Sequence, residues 1–75
     1  MRLKQVSPAE YVIHAFGGVV KTAQALDRAP SSISEWKSRD GSVPTALQKK
    51  ILTIAKKKNL PITEYELIFG GKIEK

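Results

Sequence analysis

The sequence contains no cysteine and a single histidine, His14. Without thiols there is no disulfide framework, thiolate metal site or thiol nucleophile, and the core must hold by packing alone. The lone histidine leaves metal ligation to carboxylates that form no clustered, oxygen-rich loop, and it leaves little from which to assemble a hydrolytic triad. Neither an enzyme nor a metal or other cofactor is expected. Apolar runs are short: nowhere do about 18 consecutive apolar residues occur, so no membrane-spanning helix is expected. Met1-Arg2-Leu3-Lys4-Gln5 lacks the apolar core of a signal peptide, which makes a cytoplasmic address the expectation. Aromatic residues are only 7% of the chain, and binding of single-stranded or structured RNA, which calls for exposed aromatics on which bases stack, finds only Tyr11 and Tyr65 as plausible groups.

What remains is a chain of 75 residues with 41% hydrophobic content, enough for one small domain and too little for two. A single domain over residues 1–75 is expected, with its core over about 7–69 and a loose tail over 70–75. Thirteen Lys and Arg against seven Asp and Glu give a net charge of +6, which favours a polyanionic partner. The charge is uneven: residues 1–30 carry +2, residues 31–60 carry +5 and residues 61–75 carry −1.

Ser7-Pro8-Ala9-Glu10 combines an N-cap serine, a proline at the first helical position and a glutamate placed to close a capping box. Ala9, Val12, Ile13 and Phe16 then form one apolar stripe, and Gly17-Gly18 supplies a left-handed C-cap, so the first helix spans about 8–16. Val19, Ala23 and Leu26, with Val20 alongside, predict a second helix over about 19–26 with Lys21, Thr22 and Gln24 on its outer face. After Asp27-Arg28-Ala29, Pro30 opens a third helix over about 30–38 with Ala29, Ile33 and Trp36 inward. Asp40-Gly41-Ser42 reads as a turn, and Val43-Pro44-Thr45 leads into a fourth helix over about 45–58 that buries Leu47, Ile51, Ile54 and Ala55. Thr63-Glu64-Tyr65-Glu66 offers another capping box. A short helix is preferred there over an edge strand through Tyr65-Glu66-Leu67-Ile68-Phe69. The fold class is therefore all-α, with four to five helices.

Two short helices joined by a tight turn, the second with a slender polar surface, describe a helix-turn-helix. The run Ala23-x-x-Leu26-Asp27-x-x-x-x-x-Ile33-x-x-Trp36 resembles the motif of phage Cro and repressor proteins. Phe16-Gly17-Gly18 before it, Pro30-Ser31-Ser32-Ile33-Ser34-x-Trp36 within it and Gly41-x-Val43-Pro44 after it are similar in order and spacing to the Cro-like subgroup, and the likeness covers residues 9–60. Asp27 departs from the pattern, since the family usually has glycine at this turn position with a positive φ. Asp tolerates that conformation better than most residues. The resemblance implies a sequence-specific, double-stranded DNA-binding regulator of phage or prophage type that represses transcription by occupying an operator.

If the resemblance holds, base readout falls to the outer face of the third helix, to Ser31, Ser34, Glu35 and Ser38. Serine hydroxyls donate and accept and so discriminate weakly, whereas a glutamate carboxylate accepts from a cytosine amino group. Lys21, Thr22, Ser32, Lys37 and Arg39 flank that face as phosphate contacts, together with the first-turn N–H groups of the second helix. One module buries limited DNA surface, so two copies on a pseudo-palindromic operator are expected, pairing as a weak homodimer on the DNA if not before it.

Other roles fit less well. Trp36 shares a face with Ile33 and reads as core rather than as a base-stacking group. His14 lies across the first helix from its stripe and reads as a solvated side chain. Lys49, Lys50, Lys56, Lys57 and Lys58 read as a solvated basic face that complements the end of the fourth helix. Tyr65, Leu67, Ile68 and Phe69 either close the core over the first helix or pair subunits. The rival function is a small protein-binding adaptor that keeps the helix-turn-helix shape without touching DNA; it calls for large apolar anchors on the third helix, which are missing.

Overall fold

The computed structural model describes residues 3–74. The element order is β1 (Leu3–Val6), α1 (Pro8–Phe16), α2 (Val19–Leu26), α3 (Pro30–Arg39), α4 (Thr45–Lys58), α5 (Glu64–Phe69) and β2 (Gly71–Glu74). The chain is thus mostly helical, as expected, but not purely so. β1 and β2 form an antiparallel pair in the register Leu3↔Glu74, Lys4↔Ile73, Gln5↔Lys72 and Val6↔Gly71. This corrects both the all-α class and the loose tail, of which Lys75 lies outside the described residues. The physical reason is mutual: Val6 and Ile73 are on the same face of the pair, and both are buried.

The helix ends follow their local chemistry. Ser7 Oγ accepts the Glu10 N–H at 3.3 Å, and Pro8 occupies the first turn of α1. Gly17 ends α1 in the left-handed region at φ 98°, its N–H donating to the Ile13 and His14 carbonyls. Asp27 ends α2 at φ 56°, the positive angle expected of that turn position. At the start of α5 the Thr63 N–H and hydroxyl donate to Glu66 Oε1 at 2.8 and 2.6 Å, and the segment is a helix rather than an edge strand.

Ala9, Val12, Ile13 and Phe16 of α1 meet Ala23 and Leu26 of α2, Ile33 and Trp36 of α3, Leu47, Ile51 and Ala55 of α4, and Leu67 of α5 in one core. Two expected core positions lie elsewhere. Ala29 is exposed, because it is the N-cap of α3 with extended backbone (φ −71°, ψ 141°) and so falls outside the helical period. Ile54 is half-buried, packed on the margin of the core. Within the last helix only Leu67 closes the core; Tyr65, Ile68 and Phe69 are exposed. No helix among the described residues is long and apolar enough to cross a membrane.

The turn after α3 ties that helix to α1. The Gly41 N–H donates to the Trp36 carbonyl at 2.9 Å, and the Gly41 carbonyl accepts the Ala9 N–H, an orphan donor of the first turn of α1, at 2.8 Å. Gly41 does this at φ 77°, with its α-carbon so close to Ser7 that a β-carbon would stand 2.6 Å from Ser7 Cβ. Gly41→Ala therefore combines backbone strain with overlap, and is expected to lower stability by about 2 kcal/mol or more in urea denaturation. A midpoint equal to that of the unsubstituted chain would contradict this constraint.

Candidate nucleic-acid interface

With Ile33 and Trp36 buried, a turn of 100° per residue leaves Ser31, Ser34, Glu35 and Ser38 on the far side of α3, and all four are exposed. The surface is low in relief because three of the four are serines. Ser38 Oγ turns back on its own helix, within 3.4 Å of the Ser34 carbonyl and 3.3 Å of the Glu35 carbonyl. Donating there leaves the oxygen lone pairs of Ser38 as acceptors toward solvent. Glu35 stands one turn before Arg39, with Oε1 3.8 Å from Nη1. Both side chains are well exposed, so this pair contributes little and either group can exchange it for another partner.

The expected flanking residues divide. Ser32, Lys37 and Arg39 are exposed, Ser32 and Arg39 on one flank of α3 and Lys37 on the other. Lys37 lines an open groove with Glu10, Ile13, His14, Gly17, Gly18 and Ile73, beside the start of α2. That start has no side-chain cap, so the first-turn N–H groups of α2 have no side-chain acceptor there. Lys21 is exposed on the same turn. Its chain runs across Gly17, with Cδ 3.0 Å from where a β-carbon would sit, and its amine has room because that residue is glycine.

Thr22 corrects the expectation of an outward phosphate contact. It is fully buried, and its hydroxyl donates to the Gly18 carbonyl at 2.8 Å. The polar hydroxyl suggested an outer position, but a threonine can satisfy its own oxygen on the carbonyl four residues back and present its methyl group to the core. Lys50 also departs from the simple solvated face: its amine donates to the Leu26 carbonyl at 3.2 Å and so caps the end of α2. Lys58 shares a groove with Lys21, Gln24, Phe16 and Ala25.

Two residues of this surface were not singled out from the sequence. Arg28, in the turn between α2 and α3, is exposed and adds a cation between the two helices. Val20 is an exposed apolar residue at the start of α2. The signal for Arg28 was available, since any cation in a turn this short has to project outward; Val20 was hidden by its place beside the stripe of α2.

Beyond the outer face the chemistry is structural. Asp40 Oδ1 accepts the Ser42 N–H at 3.0 Å, and this hydrogen bond holds the Asp40 carboxyl below its ordinary pKa. Tyr11 donates its hydroxyl to the Pro61 carbonyl at 2.7 Å; burial first, and the Glu66 carboxylate second, raise its pKa. So held, its ring is no free platform for a base. Among the described residues no three His, Asp or Glu side chains gather where they could hold a metal ion.

Thr22→Val keeps the shape and removes the internal hydrogen bond, so it is expected to lower stability by about 1 kcal/mol and leave the charge of the surface unaltered. An equal loss of nucleic-acid affinity with no loss of stability would instead return Thr22 to the interface. For Asp40, a folded pKa below the unfolded one means that its contribution is present above about pH 4 and disappears as pH falls through the lower, folded value. The stability difference between the unsubstituted chain and Asp40→Ala should accordingly shrink between about pH 5 and pH 2. A difference constant over that window would show that the carboxylate charge is not what holds the turn.

Comparisons of the chain with protein-family models, with curated proteins and with solved structures find no match.

Proposed function

We propose that this chain is a sequence-specific, double-stranded DNA-binding regulator of the Cro-like helix-turn-helix kind, acting by occupying its operator and performing no covalent chemistry. The observation that carries the reading is the exposed face of α3 made of Ser31, Ser34, Glu35 and Ser38, backed by buried Ile33 and Trp36. A major groove about 12 Å wide admits one helix, and short side chains let that helix approach the base edges. The cations on either side supply what a groove-bound helix needs: Lys37 and Lys21 toward the start of α2, Arg39 on the other flank, and Arg28 in the turn. The net charge of +6 supports a polyanionic partner in general; between residues 31 and 60 its surplus comes from the lysines of α4, since Lys37 and Arg39 are balanced by Glu35 and Asp40.

In this reading Glu35 accepts from a cytosine amino group, and the serines exchange hydrogen bonds with neighbouring base edges. Arg39, relieved of its loose pairing with Glu35, turns to a phosphate. Ser32 and the first turn of α2 hold the backbone. Two copies occupy a pseudo-palindromic site with half-sites about 34 Å apart. The adaptor reading has less behind it, because the outer face of α3 carries no large apolar anchor.

Selection from a random duplex library tests the proposal, and an enriched inverted repeat is the expected result. On the recovered site, Glu35→Ala should relax preference at one base pair, a loss of about 1–3 kcal/mol of discrimination, while the rank order at other positions stays. Lys37→Ala should weaken binding to all duplexes and reduce the log–log salt slope by about one. No enrichment at low salt, or an unchanged rank order for Glu35→Ala at every position, would count against DNA readout by α3.

A further inference from the structure

Five lysines and no acidic residue stand among the 14 residues of α4. Leu47, Ile51 and Ala55 bury one side of the helix. At 100° per residue Lys49, Thr53 and Lys56 lie directly opposite, with Lys57 beside them, and all four are exposed. Lys49 and Lys56 are two turns apart, about 10 Å along the axis. Between them Thr53 folds its hydroxyl onto the Lys49 carbonyl, donating at 3.0 Å, which keeps the strip low. Lys58, at the end of α4, shares a groove with Lys21 and Gln24 of α2, so the basic surface continues onto a second helix.

Lys50 is engaged with the Leu26 carbonyl, but Lys49, Lys56, Lys57 and Lys58 have no hydrogen-bond or ion-pair partner on their side chains among the described residues. Glu64 borders the strip across a groove from Lys49 and Lys56, beyond ion-pair distance. The last-turn lysines complement the end of the helix, but Lys49 stands too far from it to do so. An acidic protein partner would call for apolar anchors; the strip has none, and Leu52 and Ile54 are half-buried at its margins. A single strand would call for rings on which bases stack, and α4 has no aromatic residue. A duplex needs only flexible cations within reach of its phosphates. A helix about 10–12 Å across cannot enter a minor groove about 6 Å wide. Lying across that groove instead, α4 would set Lys49 and Lys56 on one phosphate strand and Lys57 and Lys58 toward the other. We infer that the outer face of α4 is a second, sequence-neutral docking surface for duplex DNA, so that one chain holds a further DNA segment beside the one at α3.

α2 packs against both α3 and α4, and none of Ser31, Ser34, Glu35 and Ser38 belongs to the strip, so the two surfaces are separate. With lysines rather than base-reading groups, α4 binds every duplex alike and strongly only at low salt. Docking on α4 stands on its lysines alone, whereas the holding of two segments at once rests also on the reading of α3 given above.

Fluorescence anisotropy of the full chain with a duplex of arbitrary sequence, about 16 base pairs long, between about 50 and 200 mM salt, tests the docking. Lys49→Gln with Lys56→Gln should make the log–log salt slope shallower by about two and lower affinity at least several-fold at the low-salt end. Neither lysine side chain has a partner in the fold and glutamine is as good a helix former, so the circular dichroism spectrum should not change. Lys4→Gln with Lys72→Gln removes the same charge from the sheet and should leave the slope near its original value. An unchanged slope for the α4 pair, an equal change for both pairs, or an equal change on a single strand of the same length would each overturn the proposal. If vesicles rich in phosphatidylserine respond to the α4 pair where the duplex does not, the strip belongs to a lipid surface instead. A slope that responds to the α4 pair alone, in a chain for which duplex selection enriches no site, would uphold docking on α4 and reject readout by α3. Where a site is enriched, an immobilised duplex carrying it and saturated with the chain should capture a labelled arbitrary duplex, and the α4 pair should abolish that capture. Capture undiminished in the α4 pair would overturn the holding of a second segment by α4.

Discussion

The burial of Ile33 and Trp36 decides how α3 is presented, and most of what this chain offers to a partner depends on it. These two side chains, one turn apart, fix the rotation of α3 about its axis and hence the row of serines that faces solvent. Removing either would leave a cavity and also free the helix to roll, mixing polar and apolar faces. The tie from Gly41 to both Trp36 and Ala9 adds a translational constraint, because it holds the end of α3 at the start of α1. A polar surface with so little side-chain mass gains its precision from the backing of the helix rather than from its own contacts.

Charge on this domain is distributed in keeping with that arrangement. Cations flank α3, but not all of them are equally available. Lys50 is engaged with the end of α2, and Lys21 lies across Gly17 beside Lys58. The acidic α5 is the exception to the basic surface, and it is also where apolar side chains remain uncovered.

Much of this was legible from residue order. The limits of α1 and α2 and the start of α3 follow from caps and apolar spacing, since Ser7, Gly17, Asp27 and Pro30 act within a turn of where they stand. The exposed face of α3 was equally readable, because a helix with two large inward residues leaves no choice about the opposite side. Thr22 and Ala29 were misplaced for opposite reasons. Thr22 looks polar but satisfies its hydroxyl inside the helix, and Ala29 looks apolar but precedes the first helical turn.

Local chemistry encoded in neighbouring residues determined the helices, their ends and the polar side of α3, all of which depend on interactions spanning a few positions. Tertiary structure alone decided the pairing of β1 with β2, the capping of α2 by Lys50 and the exposure of Tyr65, Ile68 and Phe69. Each of these depends on segments far apart in the chain, and a strand of four residues carries too short an alternation to declare its partner. Whether an apolar residue on a short helix turns inward or outward is likewise set by what packs against it, which no spacing within α5 could specify.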